Sequence, residues 1–216
     1  MNEKYTGRTE GWLYAIASDA FRQANLPLTE KGKNRYYIDE SLYVAIGYIT
    51  GENTIAEVLQ KVAHMGCCVL YQDRNGVMRL EPRNKVLTDY AIRQDVSYTH
   101  PEFEISKPLK AVEVSYGEDG KFILSVGSSG EVQTVNNDFI NTEEDARRVA
   151  EATAEVLKGR KNISGDFRAD PRLDALDIVT VESKFATNPV VITEIEYSTT
   201  GGGFHGRFTG KVVQDG

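Results

Sequence analysis

The sequence predicts an α+β protein: a small α/β module followed by an antiparallel β-barrel domain of the split-barrel kind, with one covering helix. Two observations predict the module, namely two stretches whose apolar residues recur at helical spacing and a hairpin signal after the second stretch. A third predicts the barrel. From Ala111 onward, short alternating strands separated by glycine turns run to a C-terminal hairpin, interrupted by one long amphipathic helix at 142–159. The module is expected over residues 1–92 and the barrel domain over 93–216.

Within the module, Trp12, Leu13, Ile16, Ala17, Ala20, Phe21 and Ala24 form an amphipathic helical stripe, which Asn25-Leu26-Pro27 ends. The polar stretch Thr29 to Arg35 is expected to be a solvated loop. Tyr36, Tyr37, Ile38 and then Leu42 to Thr50 favour extended structure. Thr54 opens the second helix, with Glu57 placed to complete a capping box and Ile55, Val58, Leu59, Val62 and Ala63 as the buried stripe. Gly66 suits a left-handed C-terminal cap. Cys67 to Gln72 and Val77 to Leu80 are then strands joined by the turn Asp73-Arg74-Asn75-Gly76, and PRNKVLTD from Pro82 reads as a linker or crossing segment.

In the second half, Ala111 to Tyr116 alternates cleanly, Glu118-Asp119-Gly120 turns into Lys121 to Val126, and Gly127-Ser128-Ser129-Gly130 leads to Glu131 to Val135. These strands are expected to meander antiparallel. Thr142 caps a helix whose Glu143, Glu144 and Asp145 favour the positive end of the helix dipole, and whose buried stripe is Ala146, Val149, Ala150, Thr153, Val156 and Leu157. Then comes FRADPRLDALDIVTVES, Phe167 to Ser183, about which the chain is organised. Pro171 fixes its own φ and pushes Asp170 out of the helical region, so a corner is forced there, expected to join the helix to the closing strands. Val179, Val181 and Ser183 share one face of the strand that follows. Asn188-Pro189 punctuates before the strand Val190 to Thr199, and Gly201-Gly202-Gly203 turns into Phe204 to Val213.

Chemistry is sparse. Of 216 residues, 40% are hydrophobic and 26% charged, as in an ordinary globular protein. The net charge of −7 argues against a phosphate-tracking surface, and hence against specific nucleic-acid binding. No apolar run approaches the roughly 20 residues that cross a bilayer, and MNEKYTGRTEGW lacks a signal-peptide core, so no membrane partner is expected. Cys67 and Cys68 are adjacent and are expected to be free thiols. His64, His100 and His205 fall in no metal-ligand spacing, and Asp166, Asp170, Asp174 and Asp177 lack the glycine and terminal glutamate of a calcium loop, which leaves them turn and capping roles. There is no GxSxG elbow, and an apolar strand would raise a cysteine pKa rather than lower it. No catalytic residue, cofactor or metal is expected. Trp12, Tyr36, Tyr37, Tyr43 and Tyr48 could stack sugars, although core and sheet packing explains them as well.

From Val135 to Ser183 the chain resembles the tail hub family of tailed phages and prophages, which covers baseplate hub and tail-associated proteins and their relatives in contractile injection systems. The residues that carry the resemblance are Asn136, Asn137, Phe139 and Ile140, the helix from Thr142, then Arg168, Asp170 and Pro171, and finally Leu173, Asp177, Val179 and Val181. Leu176 departs from the pattern, standing where a glycine commonly precedes the aspartate. Weaker likeness extends over about Tyr43 to Val213, including the lead-in Ile105 to Lys110 and the last hairpin.

The resemblance implies a non-enzymatic virion component, made in the host cytoplasm, that joins the tail tube to the tip through a trimeric ring. Its partners would be its own copies, the tail tube, and a distal tail or spike protein. It also implies a fragment, because a full hub carries further barrel and distal domains. Two other readings of the residues are a cell-envelope carbohydrate-binding module using the tyrosines and a wall-degrading enzyme.

Overall fold

In chain order the elements are β1 (Gly11–Trp12), α1 (Leu13–Gln23), β2 (Tyr43–Val44), α2 (Ile55–Met65), β3 (Cys68–Gln72), β4 (Met78–Pro82), β5 (Leu87–Ile92) and β6 (Glu102–Ile105). They continue with β7 (Leu109–Tyr116), β8 (Gly120–Ser125), β9 (Glu131–Val135), α3 (Glu143–Lys158), β10 (Lys161–Arg168), β11 (Ile178–Glu182), β12 (Thr187–Thr200) and β13 (Gly203–Val212). This is a computed structural model that describes residues 2–8, 10–26, 38–45, 52–72, 77–82, 87–158, 161–184, 186–200 and 203–213. The turn Asp73 to Gly76, the loop Thr29 to Arg35, and Tyr36, Tyr37 and Tyr48 lie outside the described residues. Two compact units result, Met1–Arg83 with Leu109–Val156, and Asn84–Pro108 with Leu157–Gly216. The expected succession of a 1–92 module and a 93–216 domain partitions the chain differently, by sequence order rather than by packing.

In the first unit, α1 buries Leu13, Ile16, Ala17, Ala20 and Phe21 on one stripe. Trp12 does not belong to that helix as expected. It lies in β1, paired antiparallel with β2, and is 47% exposed, with its ring edge-on to Tyr43. No side chain caps α1; among the free donors of its first turn, Leu13 N–H donates to Leu42 O at 2.8 Å. Helix α2 has the expected capping box: Glu57 N–H donates to Thr54 Oγ1 at 3.3 Å, and Thr54 N–H donates to Glu57 Oε2 at 2.7 Å. At its far end the left-handed residue is Cys67 (φ 53), whereas Gly66 stays right-handed at φ −76. A Cβ on Gly66 would stand 3.1 Å from Val62 O, so glycine serves close approach there rather than handedness.

Strands β3 and β4 pair antiparallel, and Cys68 and Leu80 bring them into the core with both helices. The other layer of this unit is a sheet in the order β8-β7-β9, which packs Val112 and Val114 against Ala146, Val149, Ala150 and Ala154 of α3. Asp145 N–H donates to Thr142 Oγ1 at 3.1 Å, so Thr142 caps α3 as expected. The expected antiparallel meander fails at β9, which runs parallel to β7. After β8 the N–H groups of Val126 and Gly127 both donate to Lys110 O, so the chain hooks over the start of β7 and descends its far side. A Cβ on Gly127 would lie 2.9 Å from Leu109 O, and only glycine lets the backbone pass that closely.

The second unit is a six-stranded sheet in the order β5-β11-β12-β13-β10-β6, antiparallel except for the parallel β5–β11 pair. Its core draws Ile92, Ile163, Phe167, Leu173, Val179, Val181, Val190, Ile192 and Phe208 together. The sheet order ends at β5 and at β6, so no closed barrel is formed among the described residues. Two further expectations are corrected. Helix α3 covers the β7–β9 sheet of the first unit, and Asn188-Pro189 lies inside β12, where Pro189 O accepts from Val213 N–H at 2.8 Å. Pro189 keeps its acceptor in the ladder even though it has no donor to give.

Candidate functional site

The organising corner spans residues 169–177 and joins two strands, β10 and β11, rather than a helix to a strand. It is built from two successive turns. In the first, Leu173 N–H donates to Asp170 O at 3.1 Å across Pro171 and Arg172, the spacing of a β-turn with proline at its preferred second position. The Asp170 carboxylate supports it by accepting from Arg172 N–H at 2.9 Å and from the Arg172 guanidinium at 3.0, 3.1 and 2.6 Å. In the second, Asp177 N–H donates to Asp174 O at 3.3 Å, and Asp177 Oδ2 accepts from Asp174 N–H at 2.8 Å.

The corner is then tied to the sheet. Leu176 N–H donates to Ile192 O at 2.7 Å, Ile192 N–H donates to Asp177 O at 2.9 Å, and Leu173 is buried in the core. Leu176 is left-handed at φ 71, at the position where the family pattern has glycine. A Leu held there stores roughly 1–2 kcal/mol of backbone strain. Val179 and Val181 follow on one face of β11 and are fully buried, as their alternation predicts. Arg168, at the end of β10, is exposed, and its N–H donates to Val96 O at 2.6 Å.

Tyr197 closes the corner, and the sequence reading did not single it out. Its hydroxyl lies 2.8 Å from Asp170 O and 2.9 Å from Leu173 O, and its ring stacks on Phe204 with centroids 5.3 Å apart. Burial, and then the nearby Asp174 and Asp170 carboxylates, push its phenol above the usual range. A signal for it was present. The apolar positions of β12 change parity from Val190 and Ile192 to Ile195 and Tyr197, which marks the register shift between Ile192 and Glu194. Tyr90 is likewise raised, by burial first and by Asp170 second.

Asn136 and Asn137 belong to the first unit and do structural work there. Asn137 is 3% exposed; its Nδ2 donates to Lys61 O at 2.8 Å and its Oδ1 accepts from Phe139 N–H at 3.1 Å. Beside it, Lys61 Nζ pairs with Asp138 at 2.8 Å, and Phe139 and Ile140 are fully buried. Asn136 Oδ1 accepts from the Ser115 hydroxyl at 3.0 Å. Asp166 is held by Arg207 at 2.8 Å. Among the described residues, no group of three or more His, Cys, Asp or Glu side chains is placed to hold a metal ion, and no helix is long and apolar enough to cross a membrane.

Two α/β and β units with these sheets have the fold of phage and prophage tail proteins. A tail protein from Neisseria meningitidis MC58 matches 96% of this chain over 69% of its own, with a TM-score of 0.66 at 10% identity. The 43 kDa tail protein of prophage MuSo2 from Shewanella oneidensis matches 96% over 65%, at 0.64 and 16%. A chain of the virion of a native gene transfer agent particle matches 95% over 48%, at 0.64 and 16%. The chain thus spans about half of the gene transfer agent protein and less than two thirds of the MuSo2 protein, and at such identities the shared property is the fold. No protein-family model matches the sequence, and no curated protein matches it.

Proposed function

We propose that this chain is a structural component of a phage or prophage tail tip or baseplate hub, which joins the tail tube to the tip as a ring of three copies. The observation that carries this reading is the likeness of almost the whole chain, 95–96% of it, to tail proteins and a virion component. Its partners are its own copies, the tail tube, and a distal tail or spike protein, and its place is the virion tail. The architectural role is supported by Asp170, Pro171, Leu173, Asp177, Val179 and Val181, which are spent on a turn and a core.

The barrel belongs to this proposal as well. The segment after β5 returns to the far side of the sheet, where Arg168 N–H meets Val96 O and Tyr98 N–H meets Asp166 O at 2.9 Å, which draws the two margins together around Phe167 and Phe208. Immunogold electron microscopy tests the proposal, using antibody to this chain on particles released after prophage induction. Gold confined to tail tips is the expected result. Tailed particles whose accessible tips stay unlabelled would overturn it.

A further inference from the structure

Every other motif residue at the corner has an internal task, in a turn or in the core, and Arg168 does not. Its main chain is fixed through Val96 O and the ladder pair with His205, yet its guanidinium is exposed and has no hydrogen-bond or ion-pair partner among the described residues. Arg93 is in the same condition. Both line an open cleft of about 410 Å³ beside Tyr90, Asp95 and Arg172. Arg172 is already committed, its guanidinium locked onto Asp170 and lying 5.8 Å from the centre of the Tyr90 ring. Two unpaired guanidinium groups therefore face one exposed carboxylate, that of Asp95, in a chain of net charge −7. Local positive charge on an acidic chain is a feature that association uses.

Strand β6, which continues the Val96–Tyr98 segment along the same edge of β10, is its complement. Strand β6 has a single partner, β10, and all four of its residues are exposed. Glu102 and Glu104 alternate with Phe103 and Ile105, the last 72% exposed, and neither carboxylate has a partner among the described residues. An uncovered edge strand carrying both apolar and acidic side chains is a surface that proteins usually protect or use.

We propose that the Arg93–Arg168 cleft receives the Glu102–Glu104 edge of a second copy of this chain, in a head-to-tail contact. The proposal rests on the hub reading, in which copies assemble. Carboxylates of the incoming edge accept from the planar guanidinium forks, which suit that geometry better than an ammonium would. Because donor and acceptor patches differ, the contact is heterologous and closes into a ring or continues as a filament according to its rotation.

Sedimentation velocity of the full chain, over rising concentration at low and at high salt, tests it. Wild type is expected to self-associate, and to do so less as salt rises. Arg93→Glu with Arg168→Glu, and separately Glu102→Arg with Glu104→Arg, are each expected to weaken association about tenfold or more. Mixing the two double variants is expected to restore a one-to-one complex, since the reversed cleft then meets the reversed edge. Arg168→Gln, which removes charge alone, replaces the first double variant if its circular dichroism shows misfolding. A wild type that stays monomeric throughout, or folded variants whose mixture stays apart, overturns the contact. So does a duplex-DNA mobility shift lost on reversing the cleft while self-association is unchanged. A monomeric wild type with gold-labelled tips removes this contact alone, whereas association with unlabelled tips removes the hub reading.

Discussion

Replacing Tyr197 with Phe takes one oxygen from the corner and leaves the ring in place against Phe204, so the variant isolates the hydroxyl. That hydroxyl lies within hydrogen-bond distance of two carbonyls, 2.8 Å from Asp170 O and 2.9 Å from Leu173 O, and its single proton serves one of them at a time. Asp170 O keeps the Leu173 N–H, but Leu173 O has no other donor among the described residues. A net hydrogen bond contributes about 0.5–1.5 kcal/mol, and a carbonyl stranded away from water costs about 1–3 kcal/mol; the site is only half buried, which places the expected loss at about 1–2 kcal/mol. For a chain of this length that corresponds to about 2–8 °C in melting midpoint. Urea unfolding followed by circular dichroism measures it, with a lowered midpoint at unchanged slope. A loss under about 0.3 kcal/mol would refute the idea that this hydroxyl holds the corner. The pH dependence gives a second readout. The folded Tyr197 phenol is raised above its ordinary 10.0, so above that pH the unfolded chain releases a proton that the folded chain still holds. The stability is therefore complete below about pH 10 and falls as pH rises beyond it. Tyr197→Phe should show a shallower alkaline loss, with Tyr5 and Tyr90, both raised in the same direction, supplying the remainder.

Two further substitutions probe the motif. Asn137→Ala strips the bracket between Lys61 O and Phe139 N–H from a buried site and is expected to cost about 1–3 kcal/mol in chemical denaturation; a loss below about 0.5 kcal/mol would show that the Asn137 side chain is not the tie. At Leu176 the usual order of alanine over glycine should invert. Ala keeps a Cβ at φ 71 and Gly does not, so Leu176→Gly is expected to be more stable than Leu176→Ala by about 1 kcal/mol, and equal or reversed stabilities would mean that the left-handed conformation is not the strain it is taken for.

What the sequence made legible was what is local. The Thr54–Glu57 box, the Thr142 cap, the hairpin of β3 and β4, and the turn at Asp170-Pro171 each depend on residues within a few positions of one another, and each stands where its residue types place it. The burial of Val179 and Val181 was equally plain, because alternation is a property of the strand alone. Trp12 was misplaced for the same reason in reverse. Its spacing fits the α1 stripe, but β2 offers Gly11 and Trp12 a ladder, and a helix that starts one residue later satisfies Leu13 N–H through Leu42 O. The local pattern carried no information about that competitor.

Pairing between distant segments was the part left out. The segment read as a linker or crossing segment from Pro82 runs into Leu87 to Asp89 of β5, yet β5 is the margin of the six-stranded sheet, and its parallel partner β11 lies far along the chain. Nothing within either segment names the other. The same holds for β9, whose direction is set by the hook of Val126 and Gly127 over Lys110, a contact between backbone groups that leaves no trace in side-chain chemistry beyond the glycine itself. The unpaired state of Arg168 was hidden for a related reason. An arginine in a motif reads as important whichever way it points, and only the structure separates Asp170, whose carboxylate is used up in its own turn, from Arg168, whose charge is left facing outward. The inward residues then explain why the corner folds, and the outward one is the residue on which the proposed contact between copies rests.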